Sequence, residues 1–335
     1  MEKLDTVRWG IIGCGDVTEV KSGPALQKAT GSSLVAVMRR DAAKAADYAR
    51  RHNVPRSYGD ADQLINDPDV NAVYVATPPG SHCEYAVRAA AAGKPVYVEK
   101  PMARTHAECV RMIDAAKAAR GGAGVPLFVA YYRRRLPRFL RFKQLVDDGA
   151  VGDVRFVTIT HYQRPNPREL DGSHWHIDPA IAGAGRFLDL APHALDVLDY
   201  VLGPVAEAGG TAANQGGHYA AEDIVTAHWR HASGALGTGV WCFTSFDRDD
   251  RIEIVGSKGT ITFACFETTP VRLWTATGTQ EFPEPTPPHV QQPLIQTVVD
   301  ELRGVTGAKC PSTGETAART SWVADQILRT WRERK

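Results

Sequence analysis

Three groups of residues have the types and spacing for chemistry on a small organic molecule. Lys100 closes the run Pro95-Val96-Tyr97-Val98-Glu99-Lys100-Pro101. Val, Tyr and Val suit a buried strand, and Pro101 lacks the N–H that would continue a sheet ladder. An amine is thereby left at the carboxyl end of a strand, the edge where open parallel sheets bind ligands. Asp189 and His193 stand four apart, which on a helix puts them on one face within reach of each other. An acid beside an imidazole favours the imidazolium and orients the ring for proton transfer. Gly13-Cys14-Gly15 lets the backbone turn sharply and approach a pyrophosphate resting on the next helix's N-terminus. Taken singly, each group has a plainer account: a surface lysine, an N-capping Asp with a first-turn His, an ordinary tight turn.

The surrounding pattern decides how these groups are positioned. Val7–Ile12, Ser33–Met38, Asn71–Thr77, the Lys100 strand and Val125–Ala130 read as strands. Between them lie an alanine-rich helix over Asp41–His52 and two capping boxes, Ser81 with Glu84 and Thr105 with Glu108, each opening a helix. Strand–helix alternation predicts a doubly wound parallel sheet with helices on both faces, a Rossmann domain over 1–130. Thr18 stands where a third glycine is usual, predicting looser helix–strand packing. The second strand ends in Arg39-Arg40, and Asp41 is placed to cap the next helix. Two guanidiniums there suit a 2′-phosphate, so NADP is the expected cofactor, with NAD the other candidate. Two exposed loop arginines are the plainer reading.

Past Tyr131-Tyr132-Arg133-Arg134-Arg135 and a helix over Pro137–Asp148, the period changes to alternation. Val154–Tyr162, Ile224–Arg230, Leu236–Phe243, Arg251–Val255, Thr260–Phe263 and Val271–Thr275 read as strands, with a hairpin turn at Gly256–Gly259. The expectation for 131–335 is an α+β domain with a large, mostly antiparallel open sheet that binds substrate. Trp241 and Phe243 share one side of their strand, pointing to a homodimer or homotetramer through that face. A helix from about Asp189 to Gly203 carries His193. Trp322, Ile327, Leu328 and Trp331 form a packing stripe on a final helix opened by Ser312.

The Gly13-x-Gly15 turn, the Glu99-Lys100-Pro101 strand end and Asp189-x-x-x-His193-x-x-Asp196 after a glycine-rich segment resemble, in order and spacing, the Gfo/Idh/MocA family of sugar and polyol oxidoreductases. The likeness runs across nearly the whole chain, and the Pro78-Pro79-Gly80-Ser81-His82 turn shares it. It departs slightly at Gly183-Ala184-Gly185, where three glycines are frequent, and at Ala191, where glycine is common. The resemblance implies that Lys100, Asp189 and His193 are catalytic. It implies cofactor contacts from Gly13, Gly15, Asp16, Val17, Arg39, Arg40, Thr77, Pro78, His82, Glu99 and Lys100.

On that reading a hydride passes between a secondary alcohol or carbonyl and the nicotinamide. His193 is the general acid/base, Lys100 hydrogen-bonds the reacting oxygen, and Asp189 orients His193. Tyr162, Arg164, Trp175, His176, Asp178 and Arg186, on the strand and loop leading to the catalytic helix, are the expected substrate contacts. His174-x-His176 resembles half of a metal site, but no third ligand has suitable spacing, so no metal is expected. A dinucleotide-sensing regulator and an NAD-dependent glycoside-cleaving enzyme are the alternatives.

Bulk properties narrow the partners. The 335 residues are too many for one core, and 43% hydrophobic with 23% charged residues is ordinary for a globular protein. A formal net charge of +1 gives no reason to expect nucleic acid or an anionic membrane. Six scattered cysteines without a C-x-x-C pair suggest a reducing compartment. Strand-like sequence from Val7 leaves no room for a signal peptide, so a cytoplasmic location is expected.

Overall fold

The computed structural model describes residues 3–171 and 173–334, so the outer ends of the two expected domains, 1–2 and 335, lie outside them. The chain forms two compact units. The first takes Met1–Ala103, Ala107–Tyr132 and Pro287–Ala318. The second takes Arg104–His106, Arg133–Thr286 and Arg319–Lys335. A single cut at 130/131 therefore differs from the structure, because Pro287–Ala318 returns to the first unit. That return has an apolar cause. The helix Gln292–Leu302 buries Leu294, Ile295, Val298, Val299 and Leu302, and Ser312 Oγ donates to the Val129 carbonyl at 2.7 Å.

In the first unit six strands are all parallel: β1 (Val7–Ile12), β2 (Ser32–Met38), β3 (Arg56–Tyr58), β4 (Ala72–Val75), β5 (Val96–Val98) and β6 (Leu127–Val129). Their order is β3-β2-β1-β4-β5-β6, which reverses direction between β1 and β4. That reversal opens a crevice at the carboxyl edge, where doubly wound sheets hold dinucleotides. Asp41 caps the Ala42–Arg51 helix, accepting the Lys44 N–H at 3.1 Å. Ser81 does not cap as expected: its hydroxyl donates to Thr77 Oγ1 at 2.8 Å.

In the second unit eight strands form one sheet: β7 (Val154–Tyr162), β8 (Val205–Ala213), β9 (Ile224–His231), β10 (Leu236–Cys242), β11 (Asp249–Gly256), β12 (Gly259–Phe263), β13 (Val271–Thr275) and β14 (Gly278–Phe282). The order is β14-β13-β12-β11-β7-β10-β9-β8. Every neighbouring pair is antiparallel except β7 with β10, which run parallel from Phe156↔Leu236 to Tyr162↔Cys242. One face is covered by the helix Arg186–Leu202, whose Phe187 meets Trp241 edge-on at 5.1 Å. Trp241 and Phe243 are each 1% exposed. They belong to this internal core, and the oligomer argument built on them does not stand. No helix among the described residues is long and apolar enough to cross a membrane.

One buried histidine makes the stability of this unit pH-dependent. The Trp229 indole N–H donates to His231 Nε2 at 3.1 Å, and His231 Nδ1 lies 2.8 Å from the Gly203 carbonyl. The ring is thus a neutral Nδ1–H tautomer, and burial pushes its pKa down. An unfolded chain takes up this proton near pH ~6.5. Stability is therefore complete above that value and falls as pH drops towards the lower folded value, by at most about 1.4 kcal/mol per pH unit from this group. Calorimetric melts between pH 7.5 and 5 should show a shallower loss in His231→Gln than in the parent.

Candidate functional site

The carboxyl edge of the first sheet gathers the residues expected to hold a dinucleotide. Gly13 has φ +94°, and a Cβ there would sit 2.7 Å from Thr77 Cγ2 and 2.9 Å from the Thr77 nitrogen. Only glycine fits that turn. A Cβ on Gly15, by contrast, would meet nothing within 4 Å, so the turn presents open space where a pyrophosphate needs close approach. Asp16 and Pro78 are exposed, their chain neighbours Val17 and Thr77 are half-buried, and so is Lys100. These residues fit a dinucleotide. Thr18 is buried, and a close helix–helix approach is made at Gly23. A Cβ there would lie 2.2 Å from the Thr18 carbonyl and 2.3 Å from the Tyr48 hydroxyl.

Arg39 and Arg40 are exposed at the end of β2, and Arg39 Nη1 donates to the Cys14 carbonyl at 3.3 Å. The acid that follows them, Asp41, is committed to Lys44, through its N–H and an ammonium contact at 3.4 Å. Cation and cap thus divide as the sequence suggests.

Two expected cofactor contacts turn out to be internal. Glu99 is 6% exposed; its Oε1 accepts from Tyr74 Oη and Gln291 Nε2, both at 2.6 Å, and its Oε2 accepts the Lys100 N–H at 3.1 Å. Burial holds the Tyr74 hydroxyl well above its usual range, so it stays a donor. His82 is fully buried, with Nε2 2.6 Å from the Thr77 carbonyl and Nδ1 3.0 Å from the Pro101 carbonyl. Burial pushes its pKa down against the pull of those carbonyls and of Glu99. His82 and Glu99 therefore anchor the ends of β4 and β5, from which Thr77 and Lys100 emerge. The Lys100–Pro101 peptide is cis.

In the second unit the helix bearing His193 begins at Arg186, a turn earlier than expected, with Gly185 as N-cap. Gly185 is required by proximity: a Cβ would lie 2.6 Å from the Glu222 carbonyl, and its N–H donates to Glu222 Oε1 at 2.7 Å. Asp189 consequently lies inside the first turn and not at the N-cap. Its Oδ2 accepts from Arg186 Nη1 at 2.8 Å and stands 3.7 Å from His176 Nε2. Trp175 stacks on His176 with ring centres 3.7 Å apart. Trp175, His176, Arg186 and Asp189 thus form one cluster.

Alternation along β7 places Tyr162 on the face opposite the buried His161, away from the covering helix. Arg164 donates to the Phe246 carbonyl at 2.7 Å and lies over its ring. Asp178 caps the short helix Pro179–Ala182 through the Ala180 N–H. Spacing along a loop could not distinguish a capping acid from a binding one.

Glu169 comes within 4.8 Å of His174 and His176, a third candidate ligand that spacing did not suggest. The structure thus supplies the third ligand that the His174-x-His176 spacing lacked. The His174 and His176 Nδ1 atoms are 2.8 Å apart, and Arg186 Nε lies 3.3 Å from Glu169 Oε1, where a guanidinium opposes a metal ion.

Arg133, which sequence reasoning passed over as part of a basic run, is 6% exposed and donates from Nη1 to His193 Nδ1 at 2.7 Å. Its Nε donates to the Cys265 carbonyl at 3.0 Å, and its guanidinium lies 4.7 Å over Phe266, whose ring meets His193 edge-on. Only the tertiary fold brings residues sixty positions apart into contact. Asp196, the last member of the Asp-His-Asp motif, pairs instead with Arg134 through two bonds of 2.7 and 2.8 Å.

Comparison with known proteins agrees with this architecture. Residues 7–126 match the model of an oxidoreductase family with an NAD-binding Rossmann fold, and 139–262 match the GFO/IDH/MocA C-terminal domain. An oxidoreductase designated P35 from Formosa agariphila is 38% identical over 88% of this chain and 90% of its own. A 1,5-anhydro-D-fructose reductase from Ensifer adhaerens is 31% identical, covering 76% and 74%. Among solved structures, an aldose-aldose oxidoreductase from Caulobacter crescentus superposes with a TM-score of 0.83 at 28% identity, over 98% of both chains.

Proposed function

Because this chain belongs to the Gfo/Idh/MocA family and is a nicotinamide-dependent oxidoreductase, we propose that it interconverts a secondary alcohol and a carbonyl on a sugar or cyclic polyol, with NADP as the preferred cofactor. The observation that carries the substrate class is the Trp175–His176–Arg186–Asp189 cluster beside the His193 helix. An aromatic face next to fixed charged donors and acceptors suits a ring bearing several hydroxyls. The reductase from Ensifer and the oxidoreductase from Caulobacter, by their names, act on sugars, which supports the same class.

Gly13 and Gly15 would accept the pyrophosphate, and Thr77 and Lys100 lie on the same sheet edge. When bound, the nicotinamide supplies or accepts the hydride. The protein's own part is to bind the polyol, hold the reacting oxygen and manage its proton, roles we assign to Lys100, Asp189 and His193.

NADP preference rests on Arg39 and Arg40 and on the commitment of Asp41 to capping. Calorimetric titration should show NADP+ binding more tightly than NAD+. Arg39→Asp should weaken NADP+ by about 10- to 100-fold, since a charge-assisted bond worth about 1.5–3 kcal/mol is lost. Preference for NAD+ in the parent protein would refute the arginine argument alone. The same preparations, supplied with NADP+ and a panel of aldoses, anhydrosugars and cyclitols, should generate NADPH. Absence of turnover across the panel, with tightly retained NAD in the purified protein, would favour glycoside cleavage through transient oxidation.

A further inference from the structure

We propose that Arg133 is a positioning residue that holds His193 as its Nε2–H tautomer, so that His193 meets the substrate as a hydrogen-bond donor and not as the base. The argument rests on what each group can do. A guanidinium carries only donors, so the 2.7 Å contact from Arg133 Nη1 requires a lone pair on His193 Nδ1. The single N–H of the neutral ring is then on Nε2. Protonating Nδ1 as well would turn two N–H groups towards each other and set an imidazolium against a guanidinium, both largely out of water.

Arg133 is held where it is. Its Nε is bonded to the Cys265 carbonyl and its plane lies over Phe266. Ionisable groups near this point include Asp189 and Asp196 on the His193 helix, Arg134, Arg138 and Cys265, and, from the sheet side, His161 and Asp250. Arg134 engages Asp196. Asp250 accepts the N–H groups of Cys265, Phe266 and Glu267 and lies 3.8 Å from His161. None of these contacts removes the guanidinium from Nδ1.

The consequence, which rests on the proposed oxidoreductase function, is a different division of labour from the one the motif suggests. During alcohol oxidation the C–H bond breaks with hydride passing to the nicotinamide, and the O–H proton must find a lone pair. His193 has none to offer while Nε2 is protonated and Nδ1 is occupied. The proton goes to a group that does carry a lone pair, such as the Asp189 carboxylate, and His193 Nε2–H holds the oxygen. Reduction returns the proton from the same group.

The tautomer is directly observable in the ligand-free protein. Long-range proton–nitrogen correlation spectra of histidine-labelled protein, with the His193 signal identified by its loss in His193→Gln, should show protonated Nε2 and unprotonated Nδ1 from pH 5.5 to 8.5. Arg133→Lys, which still donates to Nδ1, should keep that pattern. Arg133→Met should free Nδ1 to take up a proton, so that the ring titrates within that range. An Nδ1–H tautomer, or titration of His193 in the parent protein, would overturn the inference. Should Arg133→Met fail to fold, the parent spectrum and Arg133→Lys still decide it. With an active substrate, Arg133→Met should lose about 10- to 100-fold in kcat/KM and gain an acid limb that Arg133→Lys lacks. A pH profile identical to the parent's would overturn the assigned role. An Nε2–H tautomer together with no turnover of any polyol would support the Arg133 contact while counting against the oxidoreductase reading, so the two failures are separable.

Discussion

Replacing Lys100 with methionine is expected to lower kcat by about 10²- to 10⁴-fold while leaving the affinity for nicotinamide cofactor nearly unchanged. The separation follows from how the strand end is built. Glu99 fixes the backbone here without the lysine amine: it accepts the Lys100 N–H at 3.1 Å and is itself held by Tyr74 and Gln291. Methionine keeps the aliphatic stem and the strand register, so the loss is that of the charged or proton-carrying tip alone. On the proposed reading, dinucleotide affinity rests on the glycine turn at Gly13–Gly15 and on Arg39 and Arg40, which the change does not touch. Single-turnover rates and calorimetric titration on the same preparation read the two quantities independently. Equal losses in turnover and cofactor binding would show that Lys100 anchors the dinucleotide and takes no part in the chemistry.

The second large effect is on stability and arises in the second unit. Arg134 is 1% exposed and lies between two acids of the His193 helix, bonded bidentately to Asp196 and 3.4 Å from Asp199. Asp199 has a second partner in Arg319, at 2.6 and 2.9 Å, and Thr320 Oγ1 donates to Asp196 at 3.4 Å. Arg134→Met would leave Asp196, fully buried, with only that long hydroxyl contact among the bonds described here. Removing one partner of a buried ion pair costs about 3–5 kcal/mol, because the surviving charge stays desolvated. At about 2–4 °C per kcal/mol the transition of this unit should fall by roughly 10 °C, read by scanning calorimetry. The double variant Arg134→Met/Asp196→Leu, which removes the orphaned charge, should recover much of the loss. If the single variant melts like the parent, the network contributes little and Asp196 becomes available for another role.

Arg133 and Arg134 illustrate why the site was only partly legible. In the sequence they are neighbours in a basic run, with nothing to separate them. In the fold one contacts an imidazole and the other a pair of carboxylates, because a short helical turn over Tyr132–Arg135 sends successive side chains in different directions. The same limit explains Tyr162, Arg164 and Asp178. They lie on the strand and loop before the His193 helix, yet which side chains point at it depends on sheet alternation and capping partners.

What the sequence determined by itself were the features with local causes. Strand–helix alternation, the Gly13 turn that needs a positive φ, the Asp41 cap and the strand end at Lys100 each follow from neighbouring residues and survive in the structure. The tertiary structure alone decided the non-local contacts: the parallel pairing of β7 with β10, the return of Pro287–Ala318 to the first unit, and the meeting of Arg133 with His193. The physical reason is that helix and turn preferences act within a few residues. The partner of a buried donor or apolar face is instead whichever group the whole chain brings to it.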